Sequence, residues 1–220
     1  MTLTFGKKFF LPSTAFLVVS VLMASVLVLM PKSAEALIEL KAGYSMHQTS
    51  PGGLNDAFPL NPKIDQMTSL SIDVMANLPL MPLGLGVRHE IMKRSATSGT
   101  FESSIDWSRT SILVNHRIID TLAYVGPIAT IGVASDFKYH SSASGVTTDY
   151  KTDSQFTATV GVEAGVKFLL LRLGAEIGYL YAPMGELKSS TGTPVTNTDG
   201  SKVTFDMSGT YVRILAGFGF

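Results

Sequence analysis

The sequence predicts an all-β fold, an eight-stranded antiparallel up-and-down transmembrane β-barrel preceded by a cleaved signal peptide. Three observations predict it. The chain opens on a basic and then apolar leader. The remainder carries runs of strict apolar/polar alternation longer than soluble sheets use. Its connectors alternate between long and short.

Lys7 and Lys8 give the positive start, Ala15 to Met30 form an uncharged apolar run, and Ala34 and Ala36 flank Glu35 at the small-residue positions a signal peptidase reads. The run is 16 residues long (15 to 30), below the roughly 20 that a spanning helix needs. Cleavage is therefore expected after Ala36, dividing the chain into a signal peptide over 1–36 and a barrel over 37–220. The latter is 184 residues (220 − 36), one domain's worth of chain.

Loss of the leader takes Lys+Arg from 17 to 14 and Asp+Glu from 17 to 16, a net charge near −2. No basic excess or stripe is present, so no nucleic acid partner is expected. With no cysteine the chain has no thiolate metal site, no disulfide and no acylated lipoprotein cysteine, which suits an exported bacterial envelope protein. No later apolar run approaches 18 residues, so any membrane span of the mature chain must be a closed barrel.

The strands follow in order. The first, about 37–46, sets Ile38, Leu40, Ala42, Tyr44 and Met46 against Glu39, Lys41, Gly43 and Ser45. The second, about 68–78, sets Leu70, Ile72, Val74, Ala76 and Leu78 against Ser69, Ser71, Asp73, Met75 and Asn77. The third, about 83–94, faces Gly84, Gly86, Arg88, Glu90 and Arg94 one way and Leu83, Leu85, Val87, His89, Ile91 and Lys93 the other. A lipid-facing lysine costs about 2–4 kcal/mol at the membrane midplane and almost nothing at the interface, which puts Lys93 near the strand's outer end. The fourth and fifth, about 104–118 and 124–138, do not reveal their facing and leave room for a bulge. The sixth, about 156–168, alternates most strictly, with Phe156, Ala158, Val160, Val162, Ala164, Val166 and Phe168 on one face. The seventh, about 171–181, repeats this, broken only by Leu180; the eighth, about 203–220, ends on Phe220.

Long connectors occupy roughly 47–67, 95–103, 139–155 and 182–202, and short ones fall near Pro79 to Pro82, Asp120 to Ala123 and Leu169 to Leu170. That alternation puts both termini in the periplasm. A secreted sandwich or lipocalin-like barrel also alternates, but its outer face would be polar and built of larger residues, whereas here the polar face mixes charge with glycine. Glycine beside charge fits a crowded lumen.

The interior of an eight-stranded barrel is just wide enough for its own side chains, so a general diffusion pore is not expected. The inward candidates are five acids and five bases: Glu39, Lys41, Asp73, Arg88, Glu90, Glu163, Lys167, Arg172, Glu176 and Arg213. Lys167, Arg172 and Glu39 count as low in the lumen, and Glu163, Glu176, Arg213, Asp73 and Arg88 as higher. A tight turn at 168–171 would set Lys167 against Arg172 and Glu163 against Glu176, like charges that need partners from elsewhere, with Glu39 and Arg213 expected to supply them. Tyr44, Trp107, Tyr179, Tyr181 and Phe218 are candidates for interfacial girdles. The four histidines show no metal-ligand spacing, and no cofactor is expected.

The C-terminal run Tyr211 to Phe220 resembles the recognition signal of outer-membrane barrels, which ends in phenylalanine with apolar residues at alternate preceding positions. Val212, Ile214, Ala216, Phe218 and Phe220 match it, and the resemblance implies handling by the barrel assembly machinery. Tyr124-Val125-Gly126-Pro127 resembles the strand-five entry of the OmpA/OmpX-like superfamily, with Pro127 in place of a usual small residue. That resemblance is one of pattern across the mature chain. It implies a bacterial outer-membrane location amid outer-membrane lipid and lipopolysaccharide, as a barrel without a peptidoglycan-binding domain.

His140-Ser141-Ser142 resembles the His-x-Ser element of outer-membrane lipid A deacylases, but three common residues without an assignable acid give no catalytic site. The expectation is therefore a non-enzymatic barrel with a structural or surface-interaction role, its loops meeting an extracellular ligand. The alternatives are a narrow channel for small solutes and, third, a lipid A-modifying enzyme.

Overall fold

The computed structural model describes residues 38–78, 82–197 and 199–220. The expected signal peptide, with Ala34 and Ala36 at its cleavage site, lies outside them, as do Pro79 to Met81 of the first short turn.

In chain order the elements are β1 (Ile38–Thr49), α1 (Gly52–Ala57), β2 (Gln66–Asn77), β3 (Leu83–Ser98), β4 (Phe101–His116), β5 (Ile119–Asp120), β6 (Ala123–Ala143), β7 (Val146–Lys151), β8 (Ala158–Phe168), β9 (Leu171–Tyr181), β10 (Pro183–Glu186), β11 (Lys188–Ser189), β12 (Thr204–Asp206) and β13 (Gly209–Gly219). Eight of them, β1, β2, β3, β4, β6, β8, β9 and β13, pair antiparallel in that order around a ring, and β13 closes on β1 from Glu39↔Gly219 to Thr49↔Gly209. Closure leaves the wall no free edge, as a sheet in hydrocarbon requires.

Period-two alternation decides which side chain meets which medium. Along β8 and β9, Val160, Val162, Val166, Phe168, Leu173, Ile177 and Tyr181 point out and stay exposed, while Glu163, Lys167, Arg172 and Glu176 point in and are buried. In water each such apolar side chain would forgo about 1.5–3 kcal/mol of burial; against acyl chains it loses nothing. The 11 residues of β8, at about 3.3 Å each and tilted 35–45°, span about 25 Å, the height of a lipid-facing band.

The structure corrects several expected boundaries. Residues 95–103 are not a long loop: β3 and β4 run on as a hairpin closed by Gly99 and Thr100. Most of 139–155 is likewise strand, with β6 and β7 joined by Ser144 and Gly145, both at positive φ, the backbone a tight two-residue hairpin turn demands. Serine and threonine on solvated strands beyond the membrane imitate a loop in composition. The expected strand over 203–220 is two elements, since Thr204–Asp206 pairs with β10 in a separate small sheet and only Gly209–Gly219 joins the barrel.

The facing of β4 and β6 is now explicit. On β4 the odd positions, Ser103 through Asn115, point inward. On β6 Thr110↔Ala134 is followed by Ser111↔Gly132, a bulge that switches inward parity from Tyr124, Ile128 and Thr130 below to Phe137 and Tyr139 above. One alternation rule cannot describe both halves.

Candidate functional site: the lumen

All ten charged residues singled out from the sequence are buried inside the barrel, at 7% exposure or less. They form two charged layers beneath an apolar closure.

The lower layer is built near the short turns. Arg117, just past β4, reaches across to Glu39 on β1 with a bidentate pair of 2.8 and 2.5 Å. Lys41 donates to Glu163 on β8 at 2.6 Å and lies 3.8 Å from Glu39. Lys167 pairs with Asp120, and Arg172 approaches Glu39 at 3.6 Å while donating to the carbonyls of Leu169 and Leu171.

The upper layer is an arginine-carboxylate lattice. Arg88 on β3 holds Asp73 on β2 at 2.9 and 2.8 Å and Glu176 on β9 at 3.1 and 2.8 Å. Arg213 on β13 bonds Glu90 on β3 and approaches Glu176 at 3.2 Å, Arg109 on β4 donates to Glu90 at 2.7 Å, and the Tyr211 hydroxyl donates to Glu176 at 2.5 Å. Each buried charge thus faces an opposite one, the condition for keeping ions in a water-poor interior.

Lys167↔Arg172 and Glu163↔Glu176 are indeed cross-strand pairs. Glu39 serves Arg172 and Arg213 serves Glu176, but Lys167 takes Asp120 and Glu163 takes Lys41. Glu163 therefore belongs to the lower layer rather than the upper. Arg109, Arg117 and Asp120 were absent from the ten; adding them makes seven bases (5 + 2) and six acids (5 + 1). The parity of β4, which would have revealed Arg109 and Arg117 together, is what the sequence hides.

Above the charges the lumen turns apolar. Met67, Met92, Ile105, Trp107, Phe137, Leu180 and Met207 form one buried cluster with Leu54 of α1, Ile64, Leu187, Val203 and Phe205 from the first and last outer connections. Trp107, expected in an interfacial girdle, points inward instead, with its indole N–H donating to Ser135 Oγ at 2.8 Å. Leu180, the one break in its strand's alternation, is a member of this closure. Asn55 clamps the first connection by exchanging two 3.1 Å bonds with the backbone of Ile64. Gly53 lets α1 rest on β12, where a Cβ would collide with the Thr204 carbonyl oxygen.

Glycines thin the wall where lumen side chains lie flat against it. Tyr124 crosses Gly165 and Gly174, at each of which a Cβ would sit 2.5 Å from its hydroxyl.

On the outer surface, His140 Nδ1 meets Asp149 at 2.7 Å and its Nε2 faces Asp106 at 3.6 Å. The acid that the sequence could not assign to His140 is thus Asp149, but the nitrogen that would serve a serine is turned to a second carboxylate.

No family model matches the chain, and no curated protein matches it. Solved structures do. Neisserial surface protein A, from Neisseria, superposes with a TM-score of 0.50 at 12% identity, covering 86% of this chain and 100% of that one. A major outer membrane protein from Thermus thermophilus superposes with a TM-score of 0.53 at 11% identity, covering 83% of this chain and 99% of that one. At such identity the likeness is one of fold, and the fold is that of the small outer-membrane β-barrels.

Proposed function

We propose that the chain is an outer-membrane barrel with a structural or surface-interaction role, its lumen closed to solute flow and its outer connections turned to the environment. The observation that carries this reading is the set of ion pairs that cross the lumen from wall to wall. Arg88 ties β3 to β9, Arg213 ties β13 to β3, and Lys41 ties β1 to β8. Opening a path means breaking buried pairs, at about 3–5 kcal/mol for each partner removed. The apolar closure over them adds a second barrier on the outer side.

Outward placement of Val212, Ile214 and Phe218 along β13, and of Phe220 just past its end, supports the C-terminal run as a signal read by the assembly machinery. The turned-away Nε2 of His140 supports a non-catalytic reading of the outer surface. Proteoliposomes test the proposal: protein-loaded vesicles should retain small sugars and amino acids as long as empty ones do. Rapid efflux of such solutes would instead select the narrow-channel reading.

A further inference from the structure

The apolar belt around the wall is interrupted near its middle. His89 lies 6 residues along β3 from Leu83 (89 − 83) and Thr110 lies 6 along β4 from His116 (116 − 110), and the two are cross-strand partners that point outward. With the rise and tilt of a barrel strand, both stand about 15 Å above the short-turn end of a band about 25 Å tall. At the same level the other wall strands turn out Ile72, Ala129, Val162, Ile177 and Ile214, with Tyr44 on β1. Among the described residues, His89 and Thr110 are therefore the one adjacent pair of hydrogen-bonding side chains on the middle of the lipid-facing wall.

Their own bond does not satisfy them. His89 Nδ1 lies 2.9 Å from Thr110 Oγ1. If the hydroxyl donates to Nδ1, the Nε2–H is left as an unspent donor and the hydroxyl oxygen as an unspent acceptor. If Nδ1–H donates instead, Nε2 becomes the acceptor and the hydroxyl proton the donor. Either tautomer leaves one donor and one acceptor side by side in a medium without water, where an unmade hydrogen bond is costly.

Height and symmetry select the partner. Copies of one chain insert with the same orientation, so a two-fold axis relating two of them runs along the membrane normal and sets each residue against residues at its own height. A second copy thus offers the pair the same pair turned around. One donor beside one acceptor is self-complementary under that rotation, and two reciprocal hydrogen bonds form whichever tautomer is present; a hydrocarbon chain offers neither group. Ala134, exposed across from Thr110 on β6, and half-buried Ser108 keep the neighbouring surface low, so that a second wall can approach.

We propose that two copies of this chain associate in the membrane through the outward faces of β3 and β4, His89 of each meeting Thr110 of the other across a two-fold axis along the membrane normal. The pairing rests on the membrane-spanning wall and is independent of whether the lumen conducts.

The test uses the full mature barrel in lipid vesicles. Two populations carrying donor and acceptor dyes are mixed, and resonance transfer is followed as added lipid dilutes the protein and separates the copies, leaving β3 and β4 facing acyl chains alone. The wild type should show transfer that falls with dilution as a dimer dissociates. The combined variant His89→Leu, Thr110→Val should weaken association by about tenfold or more, the loss expected for two hydrogen bonds. Its folded gel band should resist heat as well as the wild type's, because apolar replacements suit a lipid-facing position. Since the chain has no cysteine, single cysteines locate the contact: Val87→Cys, one outward step below His89, should be captured as a dimer by a short thiol cross-linker, and Ile177→Cys, four strands round the ring on β9, should not. Wild-type protein that stays monomeric at every lipid ratio, a combined variant with unchanged association or with lost heat resistance, or equal capture at both cysteines would each overturn the proposal.

Discussion

Glu163 and Glu176 stand directly opposite each other on β8 and β9, and their carboxylates part company: Glu163 turns to Lys41 at 2.6 Å and Glu176 to Arg88 at 2.8 Å. Two like charges in register thereby become the junction between the two charged layers of the lumen. The repulsion that would destabilise an isolated hairpin is resolved only once β1 and β3 have closed around it.

Glu176 consequently bears more of the lattice than its partner, since Arg88, Arg213 and the Tyr211 hydroxyl all converge on it. Glu176→Ala should destabilise the barrel by about 3–5 kcal/mol, the cost of leaving buried cations uncompensated. Arg213→Ala should act in the same direction and lower stability more than it changes conductance. The temperature at which the folded band disappears on a gel, read with bilayer currents of the same variants, checks both. A barrel that keeps wild-type heat resistance while its currents change strongly would refute the ordering.

The glycines beside Tyr124 predict a selective rescue. A Cβ at Gly174 meets chiefly the Tyr124 hydroxyl at 2.5 Å, whereas at Gly165 it also collides with the Leu173 carbonyl oxygen and meets the tyrosine ring at 2.6 Å. Gly174→Ala and Gly165→Ala should each cost about 1–3 kcal/mol through overpacking. Adding Tyr124→Phe should restore most of the loss at Gly174 and little at Gly165. Urea unfolding of the bilayer-folded protein measures it; equal rescue at both sites would contradict the packing described.

Trp107 is the chain's single tryptophan, so its fluorescence reports one place. Buried in the lumen closure at 1% exposure, it should resist both acrylamide and brominated lipid. A control carrying Trp107→Phe with Ile91→Trp, at an outward position, should be strongly quenched by brominated lipid. Strong lipid quenching of the native tryptophan would return it to the girdle.

Much of this architecture is written in period-two alternation. β1, β2, β8, β9 and β13 each keep one parity from end to end, so Glu39, Asp73, Glu163, Glu176 and Arg213 declare their facing. β4 hides its parity because Ser104, Ser108 and Thr110 point outward while Ile105, Trp107 and Leu113 point in, reversing the usual distribution above and within the charged lumen. β6 hides it because a bulge changes parity midway. The apolar closure is equally illegible locally, since Leu54 and Leu187 come from connections whose surroundings read as solvated loop, and Phe205 from a segment that reads as the start of the last barrel strand. Which charges pair is set by closure of the ring, a relation between residues such as Arg88 and Glu176 that no single strand carries.

The central claim is a lumen locked by ion pairs that cross it, Arg88 to Glu176 and Lys41 to Glu163 among them. Single-channel recording of the purified wild-type barrel in a planar bilayer tests it most directly. The account predicts a quiet baseline, with steps appearing only when cross-lumen partners are replaced, as in Arg88→Ala combined with Lys41→Ala. Stable, discrete currents from the wild-type protein would contradict it.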